Sequence, residues 1–202
     1  PSHGPRVLLA RRSPRRRLLL REHGFDHEIV ASGIDDGELH PGLVTPAAWV
    51  MALAYLKAKH AYDRGGPGEG IYLGADTVCV QQGMVVGQPA CEDHAREMIR
   101  AMAGTQHEVL TGVALICRAH GTRHTFCDRS VVRVGELSDG EIDGYLASGE
   151  WRRKAGGYNL ADRLEAGWPI EYDGDPTSIM GLPMASLRAE LERFCERQDR
   201  AG

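Results

Sequence analysis

The chain has 202 residues, 42% of them hydrophobic and 26% charged, the balance of a water-soluble fold with enough apolar material for one large domain or two small lobes. Lys and Arg number 24 against 28 Asp and Glu, a net charge of -4, which excludes a chain-wide positive field for nucleic acid. The five cysteines (Cys79, Cys91, Cys117, Cys127, Cys195) are scattered and fall in no zinc or C-x-x-C spacing, so reduced thiols in the cytoplasm are expected. The longest apolar run, 47–56, falls short of the about 20 residues a bilayer span needs, and arginines interrupt the leucines that a signal peptide would keep together; neither membrane nor secretion is expected.

In chain order, 7–10 reads as a short buried strand. Ser13-Pro14 then opens a helix, with a hydroxyl at the N-cap and proline at the first helical position, closed by Gly24. Residues 28–31 are extended. Thr45-Pro46 repeats the start signal for a helix ending near 64–66, with Trp49, Leu53, Leu56 and His60 marking one face. Residues 71–80 and 84–86, around Gln81-Gln82-Gly83, read as a hairpin. Ala95, Met98, Ile99 and Met102 give 92–103 the period of an amphipathic helix stopped by Gly104. Two long strands follow, 108–117 and 123–134, joined at Gly121. Ser138 and Glu141 form a capping box for a helix bearing Ile142, Tyr145 and Leu146, and Pro183 precedes a last helix with Leu187, Leu191 and Phe194. The coexistence of hairpins with strand-helix units makes the fold α/β with a mixed sheet.

Four stretches carry candidate chemistry. In LLARRSPRRRLLLREHG, six arginines surround Ser13-Pro14; a helix start here points free N–H groups, Arg15 and Arg16 at one spot, an anion site, while a solvated helix face is an equally good reading. A nucleic-acid arm is disfavoured, since no aromatic residues are interleaved. Asp76 interrupts the apolar LGADTVCV, where a buried carboxylate needs a metal, a cation or a donor unless it merely caps a strand end. Lys57 either reaches from its helix into a cleft or runs out to solvent. Lys154, beside Gly156-Gly157, sits where backbone can approach a ligand or in a plain surface turn. His120 and His124 flank a polar strand connection and read as loop surface rather than a metal pair.

The order and spacing of Ser13-Pro14-Arg15-Arg16, Leu53-Ala54 with Lys57-Ala58, Gly74-Ala75-Asp76-Thr77-Val78, Gly104 with His107, Thr111-Gly112-Val113, Tyr145 with Gly149-Glu150, Lys154-Ala155-Gly156-Gly157-Tyr158 and Gly181-Leu182-Pro183 closely resemble the Maf family of nucleoside triphosphate pyrophosphatases. The resemblance covers nearly the whole chain. It implies a single domain over 1–202, an α/β fold of the Maf and inosine-triphosphatase-like type with a mixed sheet, flanking helices and two lobes around a cleft, and often a homodimer. It also implies hydrolysis between the α and β phosphates of a canonical or modified nucleoside triphosphate, giving monophosphate and pyrophosphate with Mg2+ or Mn2+.

Carried over residue by residue, the resemblance makes Asp76 the proton acceptor, orienting water or holding the metal. Ser13, Arg15, Arg16, Lys57, Thr77 and Lys154 become substrate and phosphate contacts, Arg15 and Thr77 also bearing on substrate choice, and Asp35 a metal ligand. Arg12, Arg17 and Arg21 are then mostly solvated. The chain departs from the family pattern at three places: Arg11 replaces a serine, Gln88 a lysine, and Ala161 or Asp162 stands where some members carry a base-reading glutamine. These departures leave base choice open and keep a catalytically weak or inactive nucleotide sensor or division regulator as the alternative.

Overall fold

The computed structural model describes residues 5–10, 13–34, 39–65, 69–152 and 154–200. Its elements in chain order are β1 (Val7–Leu9), α1 (Pro14–Glu22), β2 (His27–Ile29), α2 (Pro46–Asp63), β3 (Ile71–Gln81), β4 (Met84–Val86), α3 (Glu92–Met102), β5 (Gln106–Cys117), β6 (Thr122–Val134), α4 (Asp139–Ser148), a 3-10 turn (Ala155–Gly157), α5 (Leu160–Glu165), β7 (Ile170–Asp173), α6 (Pro176–Ile179) and α7 (Met184–Asp199). The strands form one sheet in the order β2-β1-β3-β5-β6-β7, with β4 also on β3. β2, β1 and β3 run parallel and the remaining pairs are antiparallel, the mixed sheet expected.

The local signals act as expected at most element ends. Ser13 and Thr45 cap α1 and α2 through their side chains with proline in the first turn, and the full capping box of Ser138 and Glu141 opens α4. Gln82 and Gly83 both take positive φ between β3 and β4, the geometry a two-residue hairpin needs. A cap-then-proline start signal of the same kind, with aspartate as the cap, recurs at Asp175-Pro176, where it opens α6. α5, β7 and α6 were not anticipated from the sequence.

The face of α2 corrects the sequence reading. Val50, Leu53, Ala54, Lys57, Ala58 and Ala61 are the buried positions, whereas Leu56 is exposed. The reason lies in the strands beneath. A Cβ on Gly74 would come 2.1 Å from the carbonyl oxygen of Ala54, and one on Gly112 would come 2.5 Å from that of Val50. Two glycines on neighbouring strands let the helix backbone lie against the sheet, so the contact takes alanines rather than bulky side chains.

β3 organises the interior because its side chains alternate between the two faces. On one face Leu73 and Ala75 join α1 and α7 in a core with Leu187, Leu191 and Phe194, and further along Cys79 joins a second core with α3, α4 and Trp168. On the other face Tyr72 packs under Ala54 and Ala58 of α2, while Val78 and Val80 pack under Val50. On both faces the apolar packing is interrupted at the same place, Asp76 and Thr77. This is the physical form of the two lobes.

The edge of β3 is interrupted there too. β1 pairs with 71–73 and β4 with 79–81, so among the described residues no strand pairs with 74–78 on that edge. β1 ends beside this opening, with Ala10 N donating to Leu73 O, and α1 starts four residues after Ala10, at Pro14. A gap in the sheet, a helix N-terminus and two polar side chains thus coincide.

Candidate active site

Asp76 is buried in the middle of β3, not a strand-end cap. Its Oδ1 lies 2.5 Å from Nζ of Lys57, which is 1% exposed. Lys57 therefore does not run to solvent: α2, held close by Gly74 and Gly112, delivers its ammonium to the carboxylate. A buried ion pair costs desolvation that its attraction only partly repays, so this pair is better read as a functional arrangement than as a source of stability.

On the opposite face of β3, Thr77 meets Arg16, which is 7% exposed. Arg16 Nη2 donates to Thr77 Oγ1 at 3.3 Å, and its Nε donates to the carbonyl of Gly181 at 2.7 Å. Thr77 Oγ1 lies 2.9 Å from Thr111 Oγ1, whose hydroxyl donates to Ser178 O at 2.8 Å. Ser13 caps the helix that carries Arg16, its Oγ accepting from Arg16 N. Of the basic opening, Arg16 is thus the built-in member, whereas Arg15, Arg17 and Arg21 are exposed. Arg12 and Arg11 lie outside the described residues.

Lys154 comes to the same opening from the far lobe. Gly156 N donates to Gly87 O at 3.0 Å, tying the glycine turn to the loop after β4, so exposed Gln88 stands beside the Lys154 segment. Lys154 Nζ lies 2.9 Å from Asp162 Oδ2. Burial raises the Asp162 carboxyl, but hydrogen bonds from Lys154 and Asn159 and the charges of Lys154 and Arg15 outweigh it, leaving the group below its ordinary value. The influence of Arg15 places the α1 N-terminus and the 154–162 segment within electrostatic reach of each other. Ala161 is half-buried in the first turn of α5, capped by Asn159.

Behind the turn, Tyr158 Oη and His107 Nε2 lie 2.7 Å apart, and burial lowers the His107 imidazole to about 4. Tyr145 donates to Gly157 O at 2.7 Å. Arg163 pairs with Glu150, and its guanidinium carbon lies 4.5 Å from the Tyr145 ring centroid. Neither Thr111 nor Arg163 received a role from the sequence; Thr111 was visible only as part of a motif, and its contact with Ser178 spans 67 positions.

The structure therefore brings Lys57 to Asp76 and Ser13 and Arg16 to Thr77, at adjacent positions of β3, while Arg15, Lys154 and Asp162 lie within electrostatic reach of one another. Asp35 lies outside the described residues. Among the described residues no group of three His, Cys, Asp or Glu side chains is placed to hold a metal. His124 pairs with Glu190 at 2.7 Å and His120 is exposed, so the two histidines do not form a metal pair. Also among the described residues, no helix is long and apolar enough to cross a membrane.

The sequence is similar to known proteins along nearly its whole length. The family model described as "Maf-like protein" matches residues 6–194. A "dTTP/UTP pyrophosphatase" of Bacillus cereus (strain B4264) is 37% identical over 189 residues, covering 94% of this chain and 95% of its own. Another protein of that name, from Pelotomaculum thermopropionicum, is 38% identical over 188 residues, covering 93% of this chain and 96% of its own. With the match spanning both lobes and the opening between them, this chain belongs to the Maf family.

Proposed function

We propose that this chain is a nucleoside triphosphate pyrophosphatase, cleaving between the α and β phosphates to release a monophosphate and pyrophosphate. The observation that carries this reading is the buried Asp76 carboxylate fixed by Lys57 at the gap in β3, with Arg16 on the adjacent residue's side and the α1 N-terminus at the same opening. The names of the relatives support the reaction and make dTTP and UTP the first substrates to test. No observation favours the non-catalytic alternative.

Asp76 orients the attacking water and takes its proton as the water oxygen bonds to the α phosphorus and the bond to the β-phosphoryl oxygen breaks. Lys57 holds the carboxylate in place. Arg16, the N–H groups that begin α1, and Lys154 face the negative charge of the phosphates, which must be met by cations if the chain is to be cut. Arg15, Thr77, Ala161 and Asp162 border the remaining space and bear on which base is accepted.

A divalent cation, Mg2+ or Mn2+, fits this donor set: Mg2+ commonly takes one or two carboxylates, substrate phosphate oxygens completing its shell, and Asp76 would be the carboxylate. When bound it would screen the phosphate charge and lower the pKa of water. The five free cysteines support a reducing cytoplasmic setting, and the family membership a homodimer.

The test is pyrophosphate release from dTTP, UTP, CTP, GTP and a methylated GTP with Mg2+ or Mn2+, with Asp76→Asn as control. Metal-dependent release lost in Asp76→Asn is expected. Release unaffected by that substitution would reject Asp76 as the base.

A further inference from the structure

Arg16 is held by a closed circuit of hydrogen bonds, and the direction of every proton in it follows from its two ends. Arg16 can only donate, and the carbonyl of Ser178 can only accept. Thr111 has one hydroxyl proton, which goes to Ser178 O, so Thr111 accepts from Thr77 and Thr77 accepts from Arg16. The circuit closes through the turn that follows α6: Gly181 N donates to Ser178 O at 2.8 Å, and Arg16 Nε donates to Gly181 O at 2.7 Å. Thr111 and Ser178 are both 0% exposed, so water does not compete for these groups. Gly181 has a φ of +116°, and a Cβ there would lie 3.3 Å from Arg16 Nε, so only glycine brings this carbonyl to the guanidinium without strain.

Resting on the reading of Arg16 as a phosphate contact, we propose that Thr111 is a positioning residue for the reaction: without touching substrate, it fixes the proton of Thr77 and so the orientation of Arg16. Two consequences follow. Arg16 is presented to the opening already aligned, so little ordering remains when the triphosphate binds. Thr77, with its proton committed to Thr111, can only accept a hydrogen bond from whatever enters, which favours a substrate group bearing N–H or O–H at that point.

The experiment compares Thr111→Val, which removes the hydroxyl at constant shape, with Thr111→Ser, which keeps it. The Arg16 Nε–H resonance, assigned by its loss in Arg16→Lys, is expected to be protected from solvent exchange in the wild type and in Thr111→Ser, and exposed in Thr111→Val. In parallel, kcat/KM is expected to fall about tenfold or more in Thr111→Val, the range for a lost hydrogen bond to a charged group, and to return to within about threefold in Thr111→Ser. In an Arg16→Lys background Thr111→Val should then have no further effect. Equal Arg16 protection in all three proteins, a Thr111→Ser variant as impaired as Thr111→Val, or independent losses in the two backgrounds would each overturn the proposal. If the wild type hydrolyses no triphosphate, the proposed reaction fails. The exchange measurement, with the affinity for an α,β-methylene nucleoside triphosphate in place of kcat/KM, still decides the role of Thr111.

Discussion

Lys57 and Asp76 stand 19 positions apart on a helix and a strand, yet ammonium and carboxylate meet at 2.5 Å in the interior. The two partners are not equivalent under substitution. Lys57→Met leaves a carboxylate buried without this cation, a change that typically costs about 3–5 kcal/mol. Asp76→Asn keeps an acceptor for the ammonium. Denaturant unfolding should show the larger loss for Lys57→Met, while turnover should fall by about 10^2 or more in Asp76→Asn, the scale of a lost general base.

Gly74 lies two residues before Asp76 and touches no substrate in the proposed reaction. Gly74→Ala would drive a methyl group into the α2 backbone at Ala54, so the helix must move and Lys57 with it. Overpacking of this kind costs about 1–3 kcal/mol. A drop in kcat/KM larger than that of Gly87→Ala, where a Cβ meets nothing within 4 Å, would show that the approach of α2 sets the ion pair.

His107 predicts an acid-sensitive fold. Burial lowers its imidazole from 6.5 to about 4, and the neighbours supply no anion, since burial pushes Cys79 up to about 12 and also raises Tyr158. Below pH 6.5 the unfolded chain binds a proton that the folded chain refuses. The stability contribution is therefore complete above pH 6.5 and lost as pH falls toward 4, by up to about 3 kcal/mol. His107→Gln, which keeps a partner for Tyr158, should show a shallower decline in unfolding free energy across this window.

Gln88 offers a neutral donor where the family pattern has a lysine. Because Gly87 is tied to Gly156, a cation at 88 would stand beside the Lys154 turn. Gln88→Lys should raise kcat/KM, by about tenfold if a charged hydrogen bond to phosphate is regained. No gain, together with a strong loss in Lys154→Met, would show that Lys154 already fills that role.

Removing divalent cations with EDTA should abolish pyrophosphate release, and Mg2+ or Mn2+ should restore it, without a change in the far-ultraviolet circular dichroism of the protein. Undiminished release in EDTA would remove the metal from the proposal.

Most of the fold was legible because its signals are local. Ser13-Pro14, Thr45-Pro46 and the Ser138 capping box need only a few neighbouring residues, and the spacing of Ala95, Met98, Ile99 and Met102 needs only one helix. The face of α2 is not legible from its large side chains, because glycines on two neighbouring strands far along the chain let Ala54 and Ala58 be buried while Leu56 is exposed. The identity of the partners was the harder part: Lys57 and Arg16 could each be assigned to solvent on local grounds, and only β3, running through both lobes, brings them to Asp76 and Thr77. Thr111 and Gly181 escaped for the same reason, since a hydroxyl and a carbonyl acquire meaning only from what they face. The short elements α5, β7 and α6 lack the length for a periodic signal, although Asp175-Pro176 repeats a start pattern used twice before.

The paired glycines beneath α2 also have a mechanical side. A helix whose backbone rests on two strands has no layer of flexible side chains to absorb movement, so α2, β3 and β5 behave as one stiff plate carrying Asp76 and Lys57 in fixed relation. Motion that admits a nucleotide must then be taken up elsewhere, by the segments hydrogen-bonded across the opening at Gly87 and Gly156. The Lys57–Asp76 pair stays still while the opening adjusts around it.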